Sequence, residues 1–270
     1  MAETADVVVV GLGAMGAATL HALARSGVRA VGIDRYHPPH DLGSTHGESR
    51  ITRLAVGEGT AYAPLVRRSH EIWREIEAET GEQLMLQTGG LIIGSGEPGA
   101  LVHGHADFVG RTIAVAEQHA IAHEALDADA IARRFPQLGL RGDERACYEP
   151  SAGLVFPERC VAAQLRLAER CGATLRLGER VLLVQAAGSG VVVTTDRGAL
   201  HTGRVLAAGA AGRARAGAAA ARAPPDPALV RARGRATLRT ASRSSSGCTA
   251  PARRTRSTAS PPCPARTAWR

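Results

Sequence analysis

Six residues, Gly11-Leu12-Gly13-Ala14-Met15-Gly16, constrain this chain more than any other feature. They follow a short apolar run from Asp6 to Val10 and open a helical pattern through Leu20, Leu23 and Ala24 that stops at Gly27. A second apolar run, Val28 to Ile33, ends at Asp34, 23 residues beyond Gly11. Strand, glycine turn, helix, strand and acid in this register are the pattern of a dinucleotide-binding βαβ unit. Gly11 allows the tight turn, and Gly13 lets backbone amides approach a pyrophosphate. Gly16 lets the helix lie close to the strand, with its positive end aimed at the phosphates. Ala14 and Met15 fill out the turn, and Asp34 can accept hydrogen bonds from a ribose. A glycine-rich turn in an unrelated α/β protein is the plain alternative, disfavoured because every part falls in register.

The turn alone does not say which dinucleotide. Gly-Leu-Gly-Ala-Met-Gly also resembles the opening of NAD(P)-dependent β-hydroxyacid dehydrogenases, which continue into a second βα unit soon after the acid. Here Asp34 is followed by a Gly/His/Pro-rich connection and then by Ser44-Thr45-His46-Gly47-Glu48-Ser49-Arg50-Ile51-Thr52-Arg53. That departure favours a different cofactor.

With these residues the chain resembles the monomeric sarcosine oxidase and N-methyltryptophan oxidase family of FAD enzymes. The resemblance rests on the glycine turn, Asp34, Pro38-Pro39-His40, Gly43 through Arg50, and the helix around Trp73. It continues through Arg134-Phe135-Pro136-Gln137-Leu138, Gly153-Leu154-Val155 and Val205-Leu206-Ala207-Ala208-Gly209-Ala210, and so covers about 209 of 270 residues. It implies FAD as cofactor, with a small N-methyl amino acid and oxygen as reactants and hydrogen peroxide as product. His46 and Arg50 are placed by it beside the isoalloxazine ring as catalytic residues. Positive charge there suits a flavin whose reduced form is anionic. Arg53 is placed at the substrate carboxylate, a task suited to a bidentate guanidinium. It would share a face with Arg50 if this stretch is helical. Arg35, Ser44 and Thr45 join the cofactor-binding set, as does Val181, where family backbone groups contact adenine. An arbitrary arginine pair is more often solvated surface charge; the Gly/Ser/His loop around these two reverses that preference.

The expected fold is α/β: a Rossmann-like FAD-binding domain with an inserted, incomplete α+β substrate domain and a disordered C-terminal tail. The segments are 1–82 (first FAD-binding part), 83–150 (substrate-domain portion), 151–209 (second FAD-binding part) and 210–270 (tail). Tyr62, Leu65, Ser69, Ile72, Trp73 and Ile76 mark one face of a helix that Gly81 can cap. Strands are predicted between Leu84 and Ile93, a long helix over Ala100 to His119, and a short one begun by Asp127 and ended at Phe135-Pro136. Val161 to Arg170 reads as a helix. Thr174–Leu177, Val181–Val184, Val191–Thr195 and Arg204–Ala208 read as strands. Tyr62, Trp73 and Phe108 are predicted to be core, and Cys147, Cys160 and Cys171 small buried residues.

Composition separates the last 61 residues from the rest. Between 210 and 270 there are 13 arginines and one acid, Asp226, and the only Val, Leu or Ile residues are Leu229, Val230 and Leu238. Ordering a backbone costs about 1–2 kcal/mol per residue, and three aliphatic side chains return only about 1.5–3 kcal/mol each. The whole-chain charge of +8 therefore belongs to this stretch, and the remainder is slightly acidic. An arginine-rich nucleic-acid tail is one reading, weakened by the absence of aromatics before Trp269. A coding sequence read out of frame fits better: a one-base shift over Arg256 to Cys263 is compatible with Leu-Tyr-Gly-Phe-Pro-Ala-Leu, whose Tyr-Gly-Phe-Pro matches a family motif. The chain has no lysine, whereas the family uses lysines for oxygen activation and at the substrate carboxylate, and a cysteine for covalent flavin attachment. The expectation is a truncated, catalytically impaired oxidase, with an NAD(P)-dependent β-hydroxyacid dehydrogenase or a non-catalytic dinucleotide-binding fragment as the alternatives. Five cysteines without ligand spacing give no metal site or disulfide scaffold. No apolar run spans a membrane, and the start lacks a signal peptide, so the expected state is a cytoplasmic monomer without nucleic-acid or membrane partners.

Overall fold

A computed structural model describes residues 3–95, 101–102 and 104–209. The chain divides into two units: Met1–Pro38 together with the chain from Gln164 on, and Pro39–Ala163. Strand pairing explains the division, because the segment after Pro39 pairs with strands near residue 150. The sequence boundaries at 82/83 and 150/151 fall inside the second unit. Residues 210–270 lie outside the described residues, and so does the expectation of a disordered tail.

The first unit opens with β1 (Glu3–Val10), α1 (Ala14–Arg25) and β2 (Ala30–Asp34). The second unit begins with β3 (Arg50–Thr52), α2 (Tyr62–Thr80), β4 (Met85–Gln87) and β5 (Gly90–Gly94). A small hairpin, β6 (Leu101–Val102) and β7 (His105–Ala106), leads to α3 (Phe108–Gln118), β8 (Glu124–Asp127) and α4 (Ala128–Arg134). Then come β9 (Arg145–Glu149), β10 (Gly153–Val155) and α5 (Pro157–Arg170). The first unit resumes within α5, at Gln164, and continues with β11 (Thr174–Leu177), β12 (Val181–Ala187), β13 (Gly190–Thr195) and β14 (Gly198–Ala207).

Six strands of the first unit form one sheet in the order β11-β2-β1-β14-β13-β12. β11, β2, β1 and β14 are parallel, and β14, β13 and β12 antiparallel. Every residue of β2 is buried, which is why its sequence is a continuous apolar run rather than an alternation. Ala5, Val8, Val31, Ile33, Val193 and Leu200 make the core of this unit. The β1–β14 register pairs Val10 with Ala207, so the chain leaving β14 arrives beside the glycine turn. β14 starts well before Arg204 because its first half is held by antiparallel pairing with β13.

In the second unit, β3-β10-β4 and β5-β9-β8 are separate three-stranded sheets. The predicted helix over Ala100 to His119 is corrected to a hairpin followed by a shorter helix. Gly104, at φ +77°, provides the hairpin turn, and the Asp107 carboxylate accepts from Gly110 N–H to start α3 only afterwards. Ala100 and His103 lie outside the described residues. Asp127 caps α4 as expected, accepting from Ala130 N–H at 2.8 Å. α5 begins at Pro157, four residues earlier than the sequence pattern indicated, because proline suits the first turn of a helix. Gly81 terminates α2 at φ +73°. Phe108 is buried as expected, but Tyr62 and Leu65 on α2 are exposed, and Cys171 is half-buried rather than buried.

Candidate functional site

The glycine turn is built so that backbone, not side chains, fills it. Gly11 lies at φ +89°, and a Cβ there would stand 2.6 Å from the Cα and N of Gly209. A Cβ on Gly16 would run into the carbonyl oxygen of Gly11. Gly13 is the N-cap of α1 and brings no side-chain acceptor to the helix's first amides, and the first turn holds no acidic residue. Leu12 and Gly16 are buried while Ala14 and Met15 face outward. A cradle of this kind, with no room for a Cβ and no acidic residue in the helix's first turn, fits the pyrophosphate of a dinucleotide such as FAD.

Asp34 is buried and organises the turn itself. Its Oδ2 accepts from Leu12 N–H at 2.7 Å and its Oδ1 from Tyr36 N–H at 2.9 Å. A carboxylate at this position is the acceptor type that a ribose hydroxyl calls for. The Gly178-Glu179 turn crosses the end of β2, with the two amides donating to Tyr36 O and Asp34 O at 3.1 and 2.9 Å. Val181, two residues on, follows from this crossing and packs against the sheet core. Arg35 is exposed, its guanidinium 4.5 Å from the Tyr36 ring centroid. Gly209 was not predicted as a site residue; its signal was the small-residue run after β14.

The other predicted residues, Ser44, Thr45, His46, Arg50 and Arg53, belong to the second unit. Ser44 and His46 are exposed and Thr45 half-buried. Arg50 closes the loop on itself, donating to Ser49 O at 2.7 Å and Ser44 O at 3.1 Å. Gly47 at φ +100° and Glu48 at φ +65° turn the chain sharply, a left-handed conformation that Glu48 adopts at a cost. The Glu158 carboxylate receives both their amides, from Gly47 at 2.7 Å and Glu48 at 3.2 Å. The Glu48 amide in particular holds the Glu158 carboxyl below its ordinary range.

The expectation that Arg50 and Arg53 share a helical face is corrected. Arg50–Thr52 is a strand, antiparallel to β10 with Ile51 opposite Leu154. Period-two alternation separates Arg50 from Ile51, and Arg53 leaves the strand on Ile51's side. Ile51 and Arg53 both line a cavity of about 170 Å³, with Thr88, Cys147, Glu149 and Leu154 in its wall. Arg53 Nη2 donates to both oxygens of Glu58, at 2.8 and 2.7 Å, and its guanidinium lies 5.9 Å from the Phe108 ring centroid. Its Nε–H is buried without a hydrogen-bond partner. The Nε–H is therefore an unused donor beside the Nη2 that Glu58 holds. Burial pushes the Cys147 thiol up to about 11, so this side chain stays uncharged in the cavity wall. Among the described residues no group of His, Cys, Asp and Glu could hold a metal ion, and no helix is long and apolar enough to cross a membrane.

The family of FAD dependent oxidoreductases (DAO) matches residues 6–261. The chain belongs to this family. Within it, the chain is similar to monomeric sarcosine oxidase of Streptomyces avermitilis, 41% identical over 206 residues that make 76% of this chain and 52% of the relative. N-methyl-L-tryptophan oxidase of Salmonella arizonae is 30% identical over 201 residues, 74% of this chain and 52% of that protein. Both relatives bear the names of the family resembled in sequence. Among solved structures, the open form of NikD, an unusual amino acid oxidase essential for nikkomycin biosynthesis, superposes with a TM-score of 0.67 at 32% identity, over 76% of this chain and 51% of that one. L-proline dehydrogenase from P. horikoshii shares the fold at a TM-score of 0.64 and 23% identity, over 77% of this chain and 53% of its own. The chain spans about half the length of the curated relatives it matches.

Proposed function

We propose that this chain carries the FAD-binding turn and the carboxylate-binding arginine of an oxidase for N-methyl amino acids of the sarcosine or N-methyltryptophan type. Arg53 carries the reading: a half-buried side chain whose buried Nε–H has no hydrogen-bond partner, in the wall of a cavity of about 170 Å³. A carboxylate meeting that N–H would gain a charge-assisted hydrogen bond and relieve a buried orphan donor. Gly11, Gly13, Ala14, Met15 and Gly16 would hold the pyrophosphate, Asp34 the ribose, and Arg35, Ser44, Thr45 and Val181 further parts of the cofactor. His46 and Arg50 would present donors and positive charge to the flavin ring. Bound FAD would supply the two-electron acceptor for the substrate's C–N bond, with oxygen as final acceptor and hydrogen peroxide as product. Arg53 would orient the amino acid by its carboxylate and leave its nitrogen end free to face the ring.

The chain as written is proposed to turn over poorly. No lysine is present to supply a second cation, and the stretch after Gly209 has the composition of an out-of-frame reading. Retention of flavin absorbance near about 450 nm after gel filtration of the refolded chain with FAD would support the cofactor assignment. Retention of NAD(P) in place of flavin would overturn it. Peroxide formation with sarcosine at a rate equal to that of a one-base-corrected chain would overturn the impairment.

A further inference from the structure

We infer that Glu149 is a positioning residue for Arg53, and that with Glu158 it clips the arginine-bearing strand β3 at both ends. The inference rests on the carboxylate-receptor reading of Arg53 and extends it to residues that no motif marks. Glu149 ends β9 and is almost wholly buried, at 3% exposure. Its Oε1 accepts from Leu54 N–H and its Oε2 from Ala55 N–H, both at 2.9 Å. Ser151 O–H donates to Oε1 as well. Leu54 and Ala55 are the two residues that directly follow Arg53. The carboxylate therefore fixes the peptide planes that set where the guanidinium leaves the backbone, from 95 residues further along the chain.

The chemistry explains why the residue is an acid. Two adjacent amides reach two different oxygens, and only a carboxylate accepts on both; glutamine offers one acceptor and a donor where the second acceptor is needed. Glu149 lines the same cavity as Arg53, so an anion here would repel a carboxylate ligand if its charge were bare. Two backbone amides and the Ser151 hydroxyl share that charge, which leaves Arg53 as the cation that a ligand meets. Ala55 adds an apolar anchor, fully buried with Ala63, Val115, Ala116 and Ile121. At the other end of β3, Glu158 receives the Gly47 and Glu48 amides on a single oxygen, Oε1. Between the two clips, β3 and β10 pair at Arg50–Val155, Ile51–Leu154 and Thr52–Gly153. Placement within about 0.5 Å matters for a bidentate contact, and a strand held by pairing alone on three residues does not supply it.

The test uses the full chain labelled with nitrogen-15, and acetate as the carboxylate probe. In the parent, acetate should shift the Arg53 Nε–H resonance, and Arg53→Met should abolish that binding. Glu149→Gln should weaken acetate roughly tenfold and speed hydrogen exchange at the Leu54 and Ala55 amides, while the chain stays folded by circular dichroism. Glu158→Ala, at a half-exposed position, tests the second clip through faster exchange at Gly47 and Glu48 and does not depend on the first variant folding. If Arg53→Met binds acetate as the parent does, the receptor reading fails, and amide exchange alone still judges the clips. Parent-like acetate affinity and parent-like exchange in Glu149→Gln overturn the positioning role.

Discussion

Gly11 and Gly209 meet backbone to backbone, but the two positions are not equivalent. A Cβ on Gly11 would lie 2.6 Å from Gly209 Cα, whereas a Cβ on Gly209 finds nothing nearer than Gly11 Cα at 3.7 Å. Gly11 also sits at φ +89° and Gly209 does not share that constraint. Gly11→Ala should therefore cost about 2–4 kcal/mol, from strain and overpacking together, and Gly209→Ala less than about 1 kcal/mol. Urea unfolding of both variants checks the asymmetry; equal losses would contradict it.

Asp34 binds the turn before it binds any ligand. Asp34→Ala would remove the acceptor for Leu12 and Tyr36 N–H and leave a buried amide unsatisfied. FAD affinity should fall by about 1.5–3 kcal/mol or more, the worth of a hydrogen bond to a charged group, with some loss of stability. Titration of FAD by flavin fluorescence quenching checks the first part. Unchanged affinity would remove Asp34 from the ribose site.

His21, on the buried face of α1, gives the first unit an acid sensitivity. Burial, with Arg25 nearby, pushes its pKa down from 6.5 to about 4, and its Nε2 has no hydrogen-bond partner. The unfolded chain takes up a proton near 6.5 and the folded chain only near 4, so stability is lost as pH falls through that window. Between pH 7 and pH 5 the loss should be about 2 kcal/mol. His21→Leu should flatten this slope in urea melts at the two pH values. A slope that persists in the variant would assign it to other groups.

Glu58 competes with any carboxylate for Arg53. Both its oxygens accept from Arg53 Nη2, and the pair is only partly exposed, at 19% and 33% for the two side chains. Glu58→Gln should tighten acetate binding several-fold, since removing a charged competitor for a partly buried arginine is worth about 1 kcal/mol. Weaker binding in this variant would mean that Glu58 orients Arg53 rather than blocks it.

What could be read from the sequence was local. The glycine turn, α1 and Asp34 are consecutive, and their spacing carries the βαβ unit without reference to the rest of the chain. Arg53 could be proposed as a site residue for the same reason, as part of one continuous motif. Its orientation was not. β3 exists because β10, about a hundred residues later, pairs with it, and no pattern within Arg50–Arg53 distinguishes that strand from a helical turn. Glu149 and Glu158 had no signal of their own, because an acid that receives distant amides looks like any surface acid until the fold buries it. The hairpin before α3 was hidden by the apolar residues on either side of it, and only Gly104 marked the turn. The close approach of Gly209 to Gly11 likewise required the parallel register of β1 and β14.

That register has a consequence for how the protein is made. β2 can pair with one edge of β1 as soon as residue 34 leaves the ribosome, but β14, the partner of the other edge, ends at Ala207. At about 5–20 residues per second, the far edge of β1 waits roughly ten to thirty seconds during synthesis. Throughout that interval an apolar strand, Val7 to Val10, shows open N–H and C=O groups. The nucleotide turn stays half-made for the same time, since Gly209 closes it from the far side. A nascent chain of this protein should therefore engage a chaperone through its first strand, and its glycine turn cannot close until nearly all of the described chain has been synthesised.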